Sequence, residues 1–342
     1  MGGFRVLARL ADEWINLGHD VSFLVPETSS QPYYLSKAKI LVANRFGRIQ
    51  SKNRLGEEKR KITVIDKALS IYFGLRKIGN QYDAIIADNS MIVCLLWAAN
   101  CGDAKKVYYT QSDETETQEF WRVPIMNFVA KAALRLNLFQ ISNSPNYPPK
   151  KNGQEIPIVH PGVDISVFTP LTMKASSDNG DIVLGTVGRS EPYKGTRFVL
   201  DAFVKLHTID PRFKLKIALG NVPARWVHPA AEIVKINSEN ELADYYRSLN
   251  ILMVGCVGQH GAPHYPLIEA MACGIPVVHT DYFPGNSKNS WVVEPGDPDA
   301  LAEGVLTALN SETREIKAMA ALKFVRANLT WNIVASKMLQ LL

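Results

Sequence analysis

A short run of apolar, largely β-branched residues, followed by a turn and an amphipathic segment, recurs along most of the 342 residues. Runs this apolar indicate strands buried on both faces of a parallel sheet, and the helical periodicity between them supplies the crossovers. The alternation predicts an α/β chain with parallel sheets. The predicted strands are residues 21–25, 84–87, 106–109, 138–141, 182–187, 215–219, 251–254, 275–279 and 291–293. The predicted helices are residues 4–17, 90–99, 119–136, 196–207, 239–248, 266–273, 299–309 and 312–328.

The order of these elements predicts two doubly wound domains. A polar, turn-rich stretch lies near residues 165–180, which favours a first domain of residues 1–165 and a second of residues 166–330. Residues 29–65 begin with Ser-Ser-Gln-Pro and continue into a basic stretch, a pattern that predicts a long irregular connection. The first helix begins directly after Gly2-Gly3, so we expect the first domain to lack its first strand. An upstream start is the favoured explanation, because an unfilled slot would leave two rows of backbone groups unpaired.

Charge is distributed unequally between the two halves. Residues 1–165 hold 21 Lys and Arg against 16 Asp and Glu, whereas residues 166–342 hold 17 of each, so the net charge of +5 belongs to the first half. The surplus, strongest between Arg48 and Lys61, predicts an anionic surface or substrate, with ordinary surface charge as the alternative. Four scattered cysteines and the lack of a signal peptide predict a cytoplasmic protein.

The motif G-R-S-E-P-Y-K-G at residues 188–195 lies between a predicted strand and a predicted helix. Gly188 allows the backbone to approach a ligand closely, and the next helix directs its N-terminus to the same place. Arg189 and Lys194 add two cations, which suits a diphosphate. The alternative is a turn with two surface charges.

A second motif, P-L-I-E-A-M-A-C-G-I-P-V-V at residues 266–278, predicts a helix with Pro266 at its start and Gly274 past its end. The backbone amides around His264, Tyr265 and Leu267 predict an anion site. Glu269, one turn into the helix, can accept hydrogen bonds from two vicinal hydroxyls such as those of a ribose. A carboxylate that merely favours the helix dipole is the alternative, and it predicts tolerance of Gln at this position.

Both motifs resemble the nucleotide-sugar half of GT-B glycosyltransferases, in particular glycosyltransferase family 4. The resemblance covers nearly the whole chain and is stronger in the second half. Further similar stretches are G-G-F-R-V-L at residues 2–7, I-V-H-P-G-V-D at residues 158–164 and W-N-I-V-A at residues 331–335.

The resemblance implies a GT-B fold of two Rossmann-like domains with a nucleotide cleft between them, and residues 331–342 packing back on the first domain. It implies an acceptor site in the first domain and a donor site in the second. Arg189 and Lys194 would bind the diphosphate and Glu269 the ribose. The remaining implied donor-site residues are Gly3, Gly188, His264, Tyr265, Pro266 and Leu267.

Two positions depart from the family pattern, and both concern the sugar. Gly261 stands where the family carries a first glutamate, and Gln111 stands where it carries a histidine. Around Gln111 the chain resembles some bacterial polysaccharide transferases, including rhamnosyltransferases, which have a glutamine and nearby acids there. Asp113 and Glu114 are then candidate bases that activate the acceptor, with helix capping and solvation as the alternative.

The sequence thus predicts a glycosyltransferase of cell-surface polysaccharide or glycolipid synthesis, normally retaining, with a UDP-, dTDP- or GDP-sugar donor. The acceptor would be a glycan or a lipid-linked molecule. Neither a bound metal nor a nucleic-acid partner is expected. The basic stretch, together with the helix around residues 121–131, predicts contact with the inner face of an anionic membrane. A nucleotide-sugar-binding protein with weak or no transferase activity is the alternative.

Overall fold

A computed structural model of the chain describes residues 2–30, 34–55, 63–112, 114, 124–144, 150–151, 154–171, 180–258 and 264–342. Two compact units are present, one of Met1–Pro161 with Trp331–Leu342 and the other of Gly162–Thr330. None of the described helices is long and apolar enough to cross a membrane.

The first unit carries its strands in separate small sheets. Its strands are β1 (Ser22–Pro26), β2 (Lys39–Ala43), β3 (Ile49–Lys52), β4 (Ala84–Ala87), β5 (Lys105–Thr110), β6 (Phe139–Ser142), β7 (Lys150–Lys151) and β8 (Gln154–Glu155). Its helices are α1 (Gly2–Asn16), α2 (Val64–Ile78), α3 (Ser90–Ala98), α4 (Pro124–Arg135) and, from the end of the chain, α10 (Trp331–Leu339). The sheets are β1-β2-β3, β4-β5-β6 and the hairpin β7-β8.

Strands β4, β5 and β6 pair in parallel, as predicted, and β1 pairs in parallel with β2. In the described part of the chain no strand precedes α1. The indole N–H of Trp14 on α1 donates to the Ala335 carbonyl at 3.1 Å, so α10 packs against α1 within this unit.

The prediction of an irregular connection over residues 29–65 is wrong between residues 39 and 52. β2 and β3 form an antiparallel pair there, closed by a turn at Asn44. Helix α2, which the sequence analysis did not identify, follows from Val64. Its apolar residues occur on both its buried and its exposed sides, which obscures the amphipathic pattern.

The second unit is a doubly wound parallel sheet. Its strands are β9 (Ile182–Val187), β10 (Phe213–Ala218), β11 (Ala231–Val234), β12 (Ile251–Val254), β13 (Val277–Thr280) and β14 (Trp291–Val293), in the order β11-β10-β9-β12-β13-β14. Its helices are α5 (Thr196–Ile209), α6 (Glu239–Arg247), α7 (Tyr265–Ala272), α8 (Pro298–Asn310) and α9 (Arg314–Asn328). One apolar core joins the sheet to α5 and α8, and another joins it to α6, α7 and α9.

The strand order reverses between β9 and β12, because β10 and β11 lie on one side and β13 and β14 on the other. In sheets of this type ligands bind at the carboxyl ends of the strands beside such a reversal. The first motif follows β9, and the loop after β12 leads to α7, which carries the second motif, so the fold brings both motifs to this point.

Candidate functional site

The loops after β9 and β12 are in direct contact. The Val257 N–H donates to the Tyr193 carbonyl at 2.8 Å. Gly195 has a φ of +70°, and a Cβ added there would lie 1.7 Å from the Gly255 carbonyl oxygen. Only glycine fits this position, because any side chain would collide with the neighbouring loop. The last residue of the first motif is therefore required by the packing of these loops.

Gly188 also has a structural reason to be glycine. Its N–H donates to the Ala218 carbonyl at 2.9 Å, and a Cβ added there would lie 2.9 Å from the Asn221 amide nitrogen. Close packing against the loop that follows β10 is therefore a second reason for glycine here, beside the predicted approach of a ligand.

Arg189 and Glu191 form an ion pair within the first motif. Arg189 donates from Nη2 to Glu191 Oε1 at 2.7 Å and from Nε to Oε2 at 3.2 Å. The hydrogen bonds from Arg189 lower the pKa of Glu191 to about 2, and the hydrogen bond with Glu191 raises the pKa of Arg189. Both groups are therefore charged at neutral pH, and a phosphate ligand of Arg189 must compete with the Glu191 carboxylate.

Lys194 is the second cation of this motif, and it is only partly exposed. Burial lowers its pKa, and nearby Arg189 adds to that decrease. Its Nζ lies 5.2 Å from the centroid of the Tyr193 ring. A half-buried ammonium of this kind is stabilised when an anion binds beside it.

His264 lies immediately before α7, and its side chain is buried. Its Nε2 is 3.4 Å from Cys256 Sγ, and its Nδ1 has no hydrogen-bond partner among the described residues. Burial, followed by the charges of Lys194 and Arg189, holds the pKa of His264 well below its ordinary value. His264 is therefore neutral, and the predicted donor-site residue is an uncharged imidazole close to both cations.

The start of α7 supplies fewer amide donors than the motif predicts. Pro266 has no N–H, and the Leu267 N–H already donates to the His264 carbonyl at 3.0 Å. These two residues can shape an anion site in this conformation, but neither has a spare N–H. Tyr265 is the first residue of the helix, directly before Pro266.

Glu269 is buried on α7, with only 2% of its surface exposed. Its Oε2 accepts a hydrogen bond from the hydroxyl of Tyr246 on α6 at 3.0 Å. Burial and the nearby carboxylate raise the pKa of Tyr246 well above its ordinary value, so its hydroxyl remains a donor. The sequence analysis missed Tyr246, because only the contact between α6 and α7 brings it to Glu269.

Within the first unit, the structure brings together Gly3, Gln111 and Asp88. The Gln111 side chain packs against Gly3, and its Nε2 donates to Asp88 Oδ2 at 3.1 Å. Burial raises the pKa of Asp88. Asp88 was not among the predicted site residues, although its place directly after the strand 84–87 was a signal for it. Gln111 follows β5, so both side chains lie at the carboxyl ends of neighbouring parallel strands.

Of the two predicted bases, the structure describes Glu114 but not Asp113. Glu114 accepts hydrogen bonds from the backbone N–H and the hydroxyl of Ser90, the first residue of α3. This carboxylate therefore caps a helix, which favours the capping alternative over a catalytic base. Asp113 lies outside the described residues, as do Gly261 and residues 121–123.

The described residues contain no group of three or more His, Cys, Asp or Glu side chains placed to hold a metal ion. The cations at the carboxyl edge of the second unit are instead the side chains Arg189 and Lys194. The arrangement suits an anionic ligand that also carries hydroxyl groups, since a buried carboxylate lies on the helix that begins at the same edge.

The chain resembles known proteins in its sequence and in its fold. Residues 181–311 match the family model described as glycosyl transferases group 1. The D-inositol 3-phosphate glycosyltransferase of Stackebrandtia nassauensis is 29% identical over 147 residues, which are 36% of this chain and 33% of that protein. The chain thus matches about a third of this relative's length.

Two solved structures resemble nearly the whole chain. The sucrose-phosphate synthase of Thermosynechococcus elongatus has a TM-score of 0.72 and 16% identity, with 98% of this chain and 91% of that chain covered. The Anabaena protein HepE, solved with UDP and glucose, has a TM-score of 0.73 and 13% identity over 99% and 95% of the two chains. The predicted fold is confirmed: the chain has the GT-B architecture of two Rossmann-like domains.

Proposed function

We propose that this protein is a glycosyltransferase that binds a nucleoside-diphosphate sugar on its second unit and an acceptor on its first. The observation that carries the proposal is the strand-order reversal of the second unit. There the loop with Arg189 and Lys194 contacts the loop after β12, which leads to the helix of Glu269. Two cations and a buried carboxylate match the diphosphate and the ribose of such a donor.

The diphosphate would bind to Arg189 and Lys194. Arg189 exchanges its Glu191 partner for a phosphate, and Lys194 gains an anion that offsets its partial burial. Departure of the nucleoside diphosphate places more negative charge on the leaving group in the transition state. The two cations stabilise that charge without a metal ion.

Glu269 would bind the ribose hydroxyls while Tyr246 holds its carboxylate in place. The contact between Tyr246 and Glu269 lies wholly among buried atoms, so it restricts the carboxylate more strongly than a surface contact would. The nucleotide is UDP, dTDP or GDP. UDP is the first candidate, because HepE was solved with UDP.

Asp88 would receive the proton of the acceptor hydroxyl. Its side chain is partly buried directly after β4, burial raises its pKa and so makes it a stronger base, and Gln111 orients it. This assignment replaces Asp113 and Glu114 as the first candidate base. Gly3 gives the Gln111 side chain its place beside α1.

The acceptor we propose is a glycan or a lipid-linked molecule of cell-surface polysaccharide or glycolipid synthesis, reached from the cytoplasmic face of the membrane. The relative from Stackebrandtia is named for an inositol phosphate acceptor, so a phosphorylated polyol is a second acceptor to test. Retention of the anomeric configuration, which the family resemblance implies, is part of the proposal. It is read from the anomeric proton of the product.

Incubation with UDP-, dTDP- and GDP-sugars and a panel of lipid-linked acceptors tests this function. Wild-type protein should transfer sugar, and Lys194→Ala should lose both binding and transfer. Asp88→Asn should keep nucleotide affinity and lose transfer. Tight nucleotide binding without transfer or donor hydrolysis would instead favour a nucleotide-sugar-binding protein, the alternative that Gln111 and Gly261 suggest.

A further inference from the structure

An exposed apolar stripe covers one side of the first unit. Ile65, Leu69 and Phe73 on α2 follow one another at intervals of four residues, and the helical repeat places them and Arg76 within an arc of about 80°. Ile65 is 70% exposed, and Leu69 and Phe73 are each 37% exposed. The opposite side of α2, including Ile71 and Leu75, is buried and packs in the interior of the first unit.

The turn between β2 and β3 extends this stripe. The Asn44 side chain accepts hydrogen bonds from the N–H groups of Phe46 and Arg48, both at 3.0 Å, and so fixes the turn with Phe46 72% exposed. A Cβ added at Gly47 would lie 3.0 Å from Phe73 Cβ, so the turn contacts α2 directly. Phe46, Ile65, Leu69 and Phe73 therefore form one continuous patch, called here the α2 surface.

The charge around the α2 surface is almost entirely positive. The β2–β3 turn (residues 44–49) and α2 contain five Lys and Arg against one acidic residue, Asp66. Asp66 accepts a hydrogen bond from Arg45 at 3.3 Å, which neutralises it. Arg48 and Arg76 are exposed beside the apolar residues. A partner of this surface must therefore be apolar at its centre and anionic around it.

We infer that the α2 surface docks on an anionic lipid bilayer. Apolar side chains enter the boundary between headgroups and acyl chains, and the surrounding arginines bind the anionic headgroups. The charge complementarity favours a bilayer over a second copy of this chain, because the same surface on a second copy would repel it. The inference rests on the proposed function only in giving a lipid-linked acceptor a reason to lie near the first unit.

Sedimentation with lipid vesicles tests this inference on the full chain. Wild-type protein should bind vesicles of phosphatidylcholine mixed with phosphatidylglycerol and should remain in solution with phosphatidylcholine alone. Phe46→Ser with Ile65→Ser should abolish binding. The matched control, Ile316→Ser with Met319→Ser, alters two side chains of similar exposure, 68% and 62%, on α9 of the second unit and should bind as wild type does.

The electrostatic contribution is tested by a second pair of variants. Arg48→Gln with Arg76→Gln should weaken vesicle binding about 25-fold, since each basic residue near an anionic surface contributes about fivefold. Lys288→Gln with Lys323→Gln, two exposed lysines of the second unit, should have no effect. Salt at about 1 M should release the wild-type protein partly, because charges then interact over only about 3 Å.

Three results would overturn the inference: wild-type protein that ignores phosphatidylglycerol vesicles, α2-surface variants that bind them normally, or a solution dimer that Phe46→Ser converts to monomer. Nucleotide titration of the same samples separates this inference from the proposed function. Vesicle binding without nucleotide binding would contradict only the proposed function, and the converse would contradict only the docking inference.

Discussion

Replacement of Glu269 by Gln tests the assignment of the ribose site. The substitution keeps the shape of the side chain and an oxygen that can accept the Tyr246 hydrogen bond, and it removes the negative charge. A hydrogen bond from a ribose hydroxyl to a buried carboxylate contributes about 1.5–3 kcal/mol, and one to a neutral amide about 0.5–1.5 kcal/mol. Because Glu269 is only 2% exposed, solvent does not screen this difference.

These values set the expected ratio of two dissociation constants. The nucleotide that binds tightest and its 3′-deoxy analogue should differ about 10- to 150-fold in Kd for wild-type protein, and about 2- to 12-fold for Glu269→Gln. Isothermal titration calorimetry measures both constants. Use of the ratio removes any effect of the substitution on the rest of the site.

Two tyrosine variants on α6 complete the experiment. Tyr246→Phe should lower the same ratio, because Glu269 then loses the hydrogen bond that orients it. Tyr245→Phe is the matched control: its buried hydroxyl donates to the Thr186 carbonyl at 2.7 Å, so the variant should lose about 1 kcal/mol of stability and keep the ratio. A wild-type ratio in Glu269→Gln would refute the ribose assignment and leave Glu269 a purely structural role.

Further predictions concern the first motif and Asp88. Gly195→Ala should lower the free energy of unfolding by about 3 kcal/mol or more, because of backbone strain and the collision with the Gly255 carbonyl. The control Gly180→Ala has a similar φ of +68° but open space around it, so it should lose only about 1–2 kcal/mol. Equal losses in thermal denaturation would contradict the packing described. Glu191→Gln should tighten diphosphate binding several-fold in calorimetry by releasing Arg189. Asp210→Asn, which breaks a similar pair with Arg212, should not, and weaker binding in Glu191→Gln would oppose this role. Because the pKa of Glu191 is lowered to about 2, the Arg189–Glu191 ion pair stabilises the fold at neutral pH and is lost only as pH falls from about 4.5 through 2. The tighter diphosphate binding of Glu191→Gln should therefore persist between about pH 5 and 8. Asp88→Asn should lower kcat at least a hundredfold with unchanged nucleotide Kd, and retained kcat would exclude it as the base.

Most of the parallel strands of both units were predictable because they are continuous apolar runs, whereas β11 was missed because Glu232 interrupts its apolar residues. Ala84–Ala87 and Ile251–Val254 coincide with their predicted bounds. β2 has a comparable run, but it lies between basic and turn-forming residues that favoured a loop. Its pairing with β3 depends on the Asn44 turn, which is visible only once the strands are placed. Local patterns thus identified the strands of the parallel sheets better than the hairpin.

The candidate site was predictable where its residues are close in sequence. Arg189, Lys194 and Glu269 belong to contiguous motifs, and parallel sheet topology brings the motifs together. Tyr246 and Asp88 were missed because their roles depend on contacts between distant elements, α6 with α7 and β4 with β5. Glu114 stays a predicted base, suggested by its acidic surroundings, while the structure shows it accepting hydrogen bonds from Ser90 at the start of α3.

Calorimetric titration with UDP, dTDP and GDP tests the central claim most directly. The account predicts that at least one of these nucleotides binds wild-type protein and that Lys194→Ala abolishes the binding. Lys205→Ala serves as the control, because Lys205 on α5 pairs with Asp299 and is not part of the site. Absence of binding by all three nucleotides, or full affinity in Lys194→Ala, would contradict the claim that this chain binds a nucleoside-diphosphate sugar at the reversal between β9 and β12.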